Sequence, residues 1–188
     1  MFILYAIPVG LAIGFLSGGR LAGLASVRFR LGWVAFAALV VQLVLFSALS
    51  DGLAQDVVRA VYLGSTALVL AVVVANIRLA GVPLILAGAI SNLAAIVANG
   101  GAMPASPGAL AALGLGVGGH TSSIAVEHPV LEPLTDIFAM PAWIPLANIF
   151  SIGDVLIGLG VAVAIAAAMR NRAPAGDPPP SGRLDQPD

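Results

Sequence analysis

The chain has 188 residues, 60% of them hydrophobic and 9% charged, with a formal net charge of −1. A soluble domain carries about 25% charged residues, so this composition excludes an ordinary soluble globule and points to an integral membrane protein. There is no cysteine, and the eight basic residues are all arginine; disulfides, thiolate chemistry, Cys-ligated metals and Schiff-base lysines are excluded with them, and no basic stripe suggests a nucleic-acid partner.

A spanning helix needs roughly 17–25 mostly apolar residues. In chain order, 2–19, 32–50, 59–77, 81–98 and 150–169 qualify. They predict an all-α polytopic membrane protein with about five transmembrane helices. The first has no basic region ahead of it and reads as a retained helix rather than a cleaved signal. It carries Gly10, Gly14 and Gly18, a small-xxx-small face for close helix approach. The second carries Gln42 and the fourth Asn92, polar side chains expected to hydrogen-bond between helices. The fourth ends in "NLAAIVANGGAMP", with Gly88, Asn92, Ala95 and Asn99 on one helical stripe. Gly100 and Gly101 give that end the backbone freedom of a helix stop.

The connection 99–149 holds seven glycines and six prolines, too broken for another span. Ala109 to Val117 and Pro133 to Trp143 remain apolar, and the connection is expected to pack against the bundle as an interfacial or re-entrant loop. Residues 1–172 form the transmembrane domain, and 173–188, rich in Pro, Gly and Asp, read as a disordered cytoplasmic tail. Arg20, Arg28, Arg30, Arg78, Arg170 and Arg172 flank one set of loops; Asp51, Asp56, Glu127, Glu132, Asp136 and Asp154 fall on the other side with Arg59 alone. Arginine marks the cytoplasm, which places the N-terminus outside, the C-terminus inside and the long loop outside.

The last span opens with "NIFSIGDVLIGLG". Asn148 or Ser151 caps it, and Asp154 falls about one turn in, where the positive end of the helix dipole favours a carboxylate. Asp136 stands 18 positions upstream. A Pro-broken excursion that returns to the membrane surface would bring the two acids together, and two close carboxylates share a proton and split their roles into base and acid. Asp136 and Asp154 are therefore the candidate catalytic residues. Asn92, Asn99, Gly100, Gly101, Asn148 and Ser151 complete an outward-facing polar site. His120, Glu127, His128 and Glu132 match no standard zinc spacing, and neither a metal nor a cofactor is expected.

Two resemblances follow from these motifs. "NGGAMP" after a helix, with "NIFSIGDVLIGLG" opening the last one, resembles a bacterial membrane family of unknown function, domain-of-unknown-function family fifty-three-seventeen. This resemblance implies a five-helix membrane protein with no established activity. More distantly, "LTDIFAMPAWIPLANIFSIGDVLIGLG" is similar to the C-terminal part of lipoprotein signal peptidases. That similarity implies that Asp136 and Asp154 match their two catalytic aspartates, with Ile157 and Gly160 matching the residues beyond. The interval from Asn148 to Asp154 is longer than in those enzymes, no Gly-Asn precedes Asp136, and Ala95 stands where "GAISNLAAI" would need an acid.

The sequence thus leaves two classes of function open. One is a binding or accessory protein of the bacterial inner membrane, with membrane lipids as partners and a lipid or membrane protein as ligand. The other is an intramembrane aspartyl hydrolase using Asp136 and Asp154.

Overall fold

In an apolar setting a backbone must satisfy its own polar groups, and the helix does so within one segment. Each apolar run accordingly forms a helix in the computed structural model of the protein, which describes residues 2–45, 52–114 and 123–171. A 3-10 turn (Phe2–Tyr5) leads into α1 (Ala6–Leu16); α2 (Gly32–Leu45), α3 (Gln55–Ala75) and α4 (Val82–Ala98) follow. After the long connection comes α6 (Ile152–Arg170). Two helices, Asp56–Ala75 and Ile152–Arg170, are long and apolar enough to cross a membrane; Phe2–Leu16, Gly32–Leu45 and Val82–Ala98 are apolar but shorter. Residues 46–50 of the second expected span and the expected tail at 173–188 lie outside the described residues.

The bundle is organised around α6. Helix α1 runs beside it in the same direction: a Cβ added to Gly10 would stand 2.9 Å from Ala162 Cα, and Gly14 is filled by the Met169 side chain. Helix α4 runs the opposite way, with Gly81 against the Gly160 carbonyl and Gly88 against that of Gly153. Glycine is what permits such backbone-to-backbone approach, and the close-packed helices gain dispersion contacts along it. Of the expected glycine stripe, Gly10 and Gly14 pack on α6. Gly18 instead faces open space at φ +78° and ends α1. Gly18 N–H donates to Phe15 O and Gly19 N–H to Gly14 O, the paired bonds of a Schellman stop.

Helices α2 and α3 form a second pair. Gln42 donates to Ser65 Oγ and Thr66 Oγ1, each at 3.2 Å, which is an interhelical hydrogen bond of the kind expected for it. At the end of α3 the buried Asn76 accepts from Arg30 N–H and donates to Arg30 O, both at 2.8 Å, so one carboxamide replaces a peptide partner for the incoming loop. Arg20 is tied by its backbone to Met169, next to Arg170, and Arg30 to Asn76 at the end of α3, two positions before Arg78. Arg59, against Gly101, is at the opposite end, where the long connection sits.

The connection differs from the all-α expectation. It contains one short helix, α5 (Pro107–Ala112), capped by Ser106 Oγ, which accepts from Ala109 N–H. Around it lie short strands: β1 (Met103–Ala105) paired in parallel with β2 (Ser123–Ala125), and β3 (Phe138–Ala139) antiparallel to β4 (Ile149–Phe150). Proline and glycine interrupt helical hydrogen bonding here, and the freed backbone groups find partners across ladders instead. Ala105, Ala109, Leu110 and Ile149 make a small core, with Leu113 packed on it. Phe150 stacks on Phe2 and on Phe138, with ring centroids 4.4 and 5.4 Å apart, and Tyr5 Oη donates to Pro145 O. The connection is thereby fastened to the start of α1 and α6. Trp143, expected to pack inward, is 83% exposed, and no element among the described residues covers it.

Close glycine packing gives a direct test. Gly88→Ala should lower stability by about 1–3 kcal/mol, the usual cost of overpacking, because its Cβ would meet Ile157 N at 2.9 Å as well as the Gly153 carbonyl. Gly64→Ala in α3, with nothing within 4 Å, should be neutral or stabilising by up to about 1 kcal/mol. Thermal unfolding in detergent ranks the two; equal effects would contradict the packing.

Candidate functional site

The C-terminal half of α4 and the start of α6 meet at a cluster of three side chains. Ser151 is the N-cap of α6: its Oγ accepts from Asp154 N–H at 3.0 Å, and Asp154 Oδ2 accepts from Ser151 N–H at 3.1 Å. This is a capping box in which aspartate fills the place usually held by Glu or Gln. Asn92, from α4, closes the set. Its Nδ2 donates to Asp154 Oδ1 at 2.9 Å, and its Oδ1 accepts from Ser151 Oγ at 2.8 Å. All five side-chain oxygen and nitrogen atoms of the trio thus have a partner within it. Gly153 makes the arrangement possible, because a Cβ there would collide with Asn92 Oδ1. Ser151 is fully buried and Asp154 partly so.

Asn99 does other work. Helix α4 ends in a second Schellman stop, with Gly100 at φ +76° and Gly101 N–H donating to Ile96 O at 2.8 Å. Beyond it, Asn99 accepts from Val130 N–H and donates to Val130 O, each at 2.8 Å. It grips one peptide of the connection as Asn76 grips Arg30 at the other end. Asn99, Gly100 and Gly101 therefore anchor the connection to α4 and do not join the Asn92 cluster. Asn148 does not cap α6. Its Nδ2 donates to Ile149 O, and its Oδ1 is buried with no partner among the described residues; Ser91 Oγ is in the same condition.

Asp136 is 6% exposed. Its backbone extends β1 on the side away from β2: Asp136 N–H donates to Pro104 O and Ser106 N–H to Asp136 O, both at 3.0 Å. The preceding Thr135 is completely buried, its hydroxyl donating to Glu132 O. Tyr62 of α3, not among the candidates that the sequence offers, packs against the buried Ala95, Ile96 and Met103. Its only sequence signal is an aromatic hydroxyl in the first half of a long apolar helix. Among the described residues no three acidic or histidine side chains converge as a metal would need; His120 lies outside them, and Glu127, His128 and Glu132 are not well buried.

These features define a mostly helical protein, carrying two helices fit to cross a membrane, with a folded connection held over a capped and glycine-packed helix. Residues 26–166 match the model of a family of unknown function (DUF5317), and the chain belongs to that family. No curated protein and no solved structure matches it.

The cluster predicts coupled energetics. Ser151→Ala should cost about 1 kcal/mol, the usual value of an N-cap. Asn92→Ala, which leaves a part-buried carboxylate oxygen without its donor, should cost about 1–3 kcal/mol. Because the two side chains share partners, the double change should differ from the sum by about 0.5 kcal/mol or more. Thermal or denaturant unfolding of the four proteins measures this, and strict additivity would mean that the trio does not act as a unit.

Proposed function

We propose that this protein is a five-span membrane protein, N-terminus outside and C-terminus in the cytoplasm, and that it works by binding at its outer face and not by chemistry. The bundle's outer surface supports the spanning reading. Phe15, Trp33, Phe36, Leu43, Leu68, Val97 and Leu159 are all more than half exposed, an apolar girdle that water would not tolerate and that lipid covers. The gathering of arginines at one end and acids at the other supports the orientation. The three shorter helices cross a local hydrocarbon layer together with their 3-10 and loop flanks.

The observation that carries the binding reading is the closed set of bonds among Asn92, Ser151 and Asp154. A carboxylate held on both oxygens by a helix cap and a neighbouring carboxamide orders the fold; a general base needs an oxygen turned to substrate or water. Beside the cluster, Phe2, Tyr5, Ala6, Val9, Val155, Gly158, Leu159 and Ala162 line an apolar groove of about 250 Å³ between α1 and α6. Under a polar cap and on the lipid-facing side, it suits the chain of a lipid whose head lies at the outer surface. The bacterial inner membrane is the corresponding location, and lipid or another membrane protein the partner.

One observation favours the hydrolase alternative: β3, two positions after Asp136, pairs with β4, four positions before Asp154, so the two acid-bearing segments lie side by side, as the likeness to lipoprotein signal peptidases implies. Replacement separates the readings. In a deletion strain, Asp136→Asn and Asp154→Asn, expressed at matched levels, should each restore function if the protein binds. Loss of function with intact expression in both variants, and no further loss in the double one, is the pattern of a catalytic pair and would overturn the binding reading.

The orientation has its own test in this cysteine-free chain. Single cysteines near Asp56 and Glu127 should react with a membrane-impermeant reagent from outside, and those near Arg28 and Pro179 should not. The reverse pattern would invert the topology.

A further inference from the structure

At the end of the bundle opposite the Asn92 cluster, α1 and α6 finish side by side around a cavity of about 650 Å³, a volume in the range of small-ligand sites. Ser17, Gly18, Arg20, Gly23, Arg170 and Asn171 are among its lining residues. Two of these are arginines, contributed by two different elements, and both side chains are exposed. Arg20 N–H donates to Met169 O at 2.8 Å, which fixes the backbone that carries one guanidinium against the backbone next to the other.

An arginine at a helix end commonly serves the last carbonyls. Here that need is already met by backbone donors: Gly14 O and Phe15 O accept from Gly19 and Gly18, Met169 O from Arg20, and Ala168 O from Asn171. Neither guanidinium has an acidic partner among the described residues. Two forked, permanently charged donors in one open cavity, with neither capping duty nor an acidic partner among the described residues, match an oxyanion with several acceptor oxygens.

We propose that Arg20 and Arg170 form a phosphate-binding site at this end of the bundle. In the orientation proposed above, the cavity opens at the cytoplasmic surface. The phosphate is that of an anionic phospholipid headgroup or a free phosphate from the cytoplasm; both present the same oxyanion. The site is remote from Asp136 and Asp154, so the binding and hydrolase readings of the outer face can each fail without touching it.

The test uses the full chain. Native mass spectrometry of protein taken from bilayers of phosphatidylglycerol and phosphatidylcholine should show the anionic lipid retained in preference by at least about threefold, as two surface arginines near anionic headgroups allow. Thermal unfolding in neutral detergent, with inorganic phosphate against chloride at equal ionic strength, reads the free ion. Retention of phosphatidylglycerol without protection by phosphate assigns a lipid headgroup; protection without lipid preference assigns a free phosphate. In either case R20Q/R170Q should abolish the effect with unchanged melting in phosphate-free detergent. R28Q/R78Q, at the same end but outside the cavity, should leave the effect intact. Absence of both effects in the parent chain would overturn the site. Equal loss in the two double variants would do the same, because it would mean a diffuse field of arginines.

Discussion

The start of a helix leaves N–H groups without intrahelical partners, and at the start of α6 the surroundings are packed protein and not bulk water. Ser151 and Asp154 answer two of those groups from within the helix's own first turn, and Asn92 reaches across from α4 to hold both side chains in place. The reach is possible only because Gly153 has no side chain. Capping, interhelical attachment and close packing are therefore one constraint. A change that fills Gly153, or removes the carboxamide, disturbs the cap as well as the helix pair.

From that fixed point the rest of the bundle can be followed along α6. Helix α4 descends past it through Gly88 and Gly81, helix α1 accompanies it through Gly10 and Gly14, and Met169 fills the space left by Gly14 and Gly19. Loops are then tied on by asparagines. Asn76 holds the peptide of Arg30 at one end, and Asn99 holds that of Val130 at the other. A carboxamide has a donor and an acceptor side by side, so it can pair with one peptide group as another strand would. It does so without a charge that an apolar surrounding would penalise. The connection 99–149 keeps its own small core around Ala105, Ala109, Leu110 and Ile149, and its attachments through Val130 and Pro145 and beside Phe150 make it part of the end of the bundle where α6 begins.

Much of this was legible in the sequence. Apolar run length located the helices, because a long apolar run can satisfy its backbone polar groups within one segment only as a helix. Asp154 and Ser151 could be read as a cap from local spacing alone, and "NGG" as a helix stop. What could not be read was which residues meet across the chain. Asn92 was marked as a polar residue within a span, but its partners lie about sixty positions away, and no local rule connects them. An asparagine at a helix end, as at Asn76, is ordinary in a sequence; only its loop partner makes it distinctive. The ladders around β1 and β3 are two or three residues long, too short for any alternation to register. The sequence marks Asp136 by its acid, whereas its backbone, bridging to β1, is what places it.

The central claim is that the first turn of α6 is held as firmly as its middle. Hydrogen exchange of the protein in lipid nanodiscs measures this directly, since protection follows the free energy of local opening. Peptides covering 152–156 should exchange as slowly as those covering 160–166. Those covering 55–58 at the start of α3, where no side chain caps the helix, should exchange much faster. Exchange of 152–156 at the rate of 55–58 would mean that the Asn92 cluster does not hold the helix and would contradict the account.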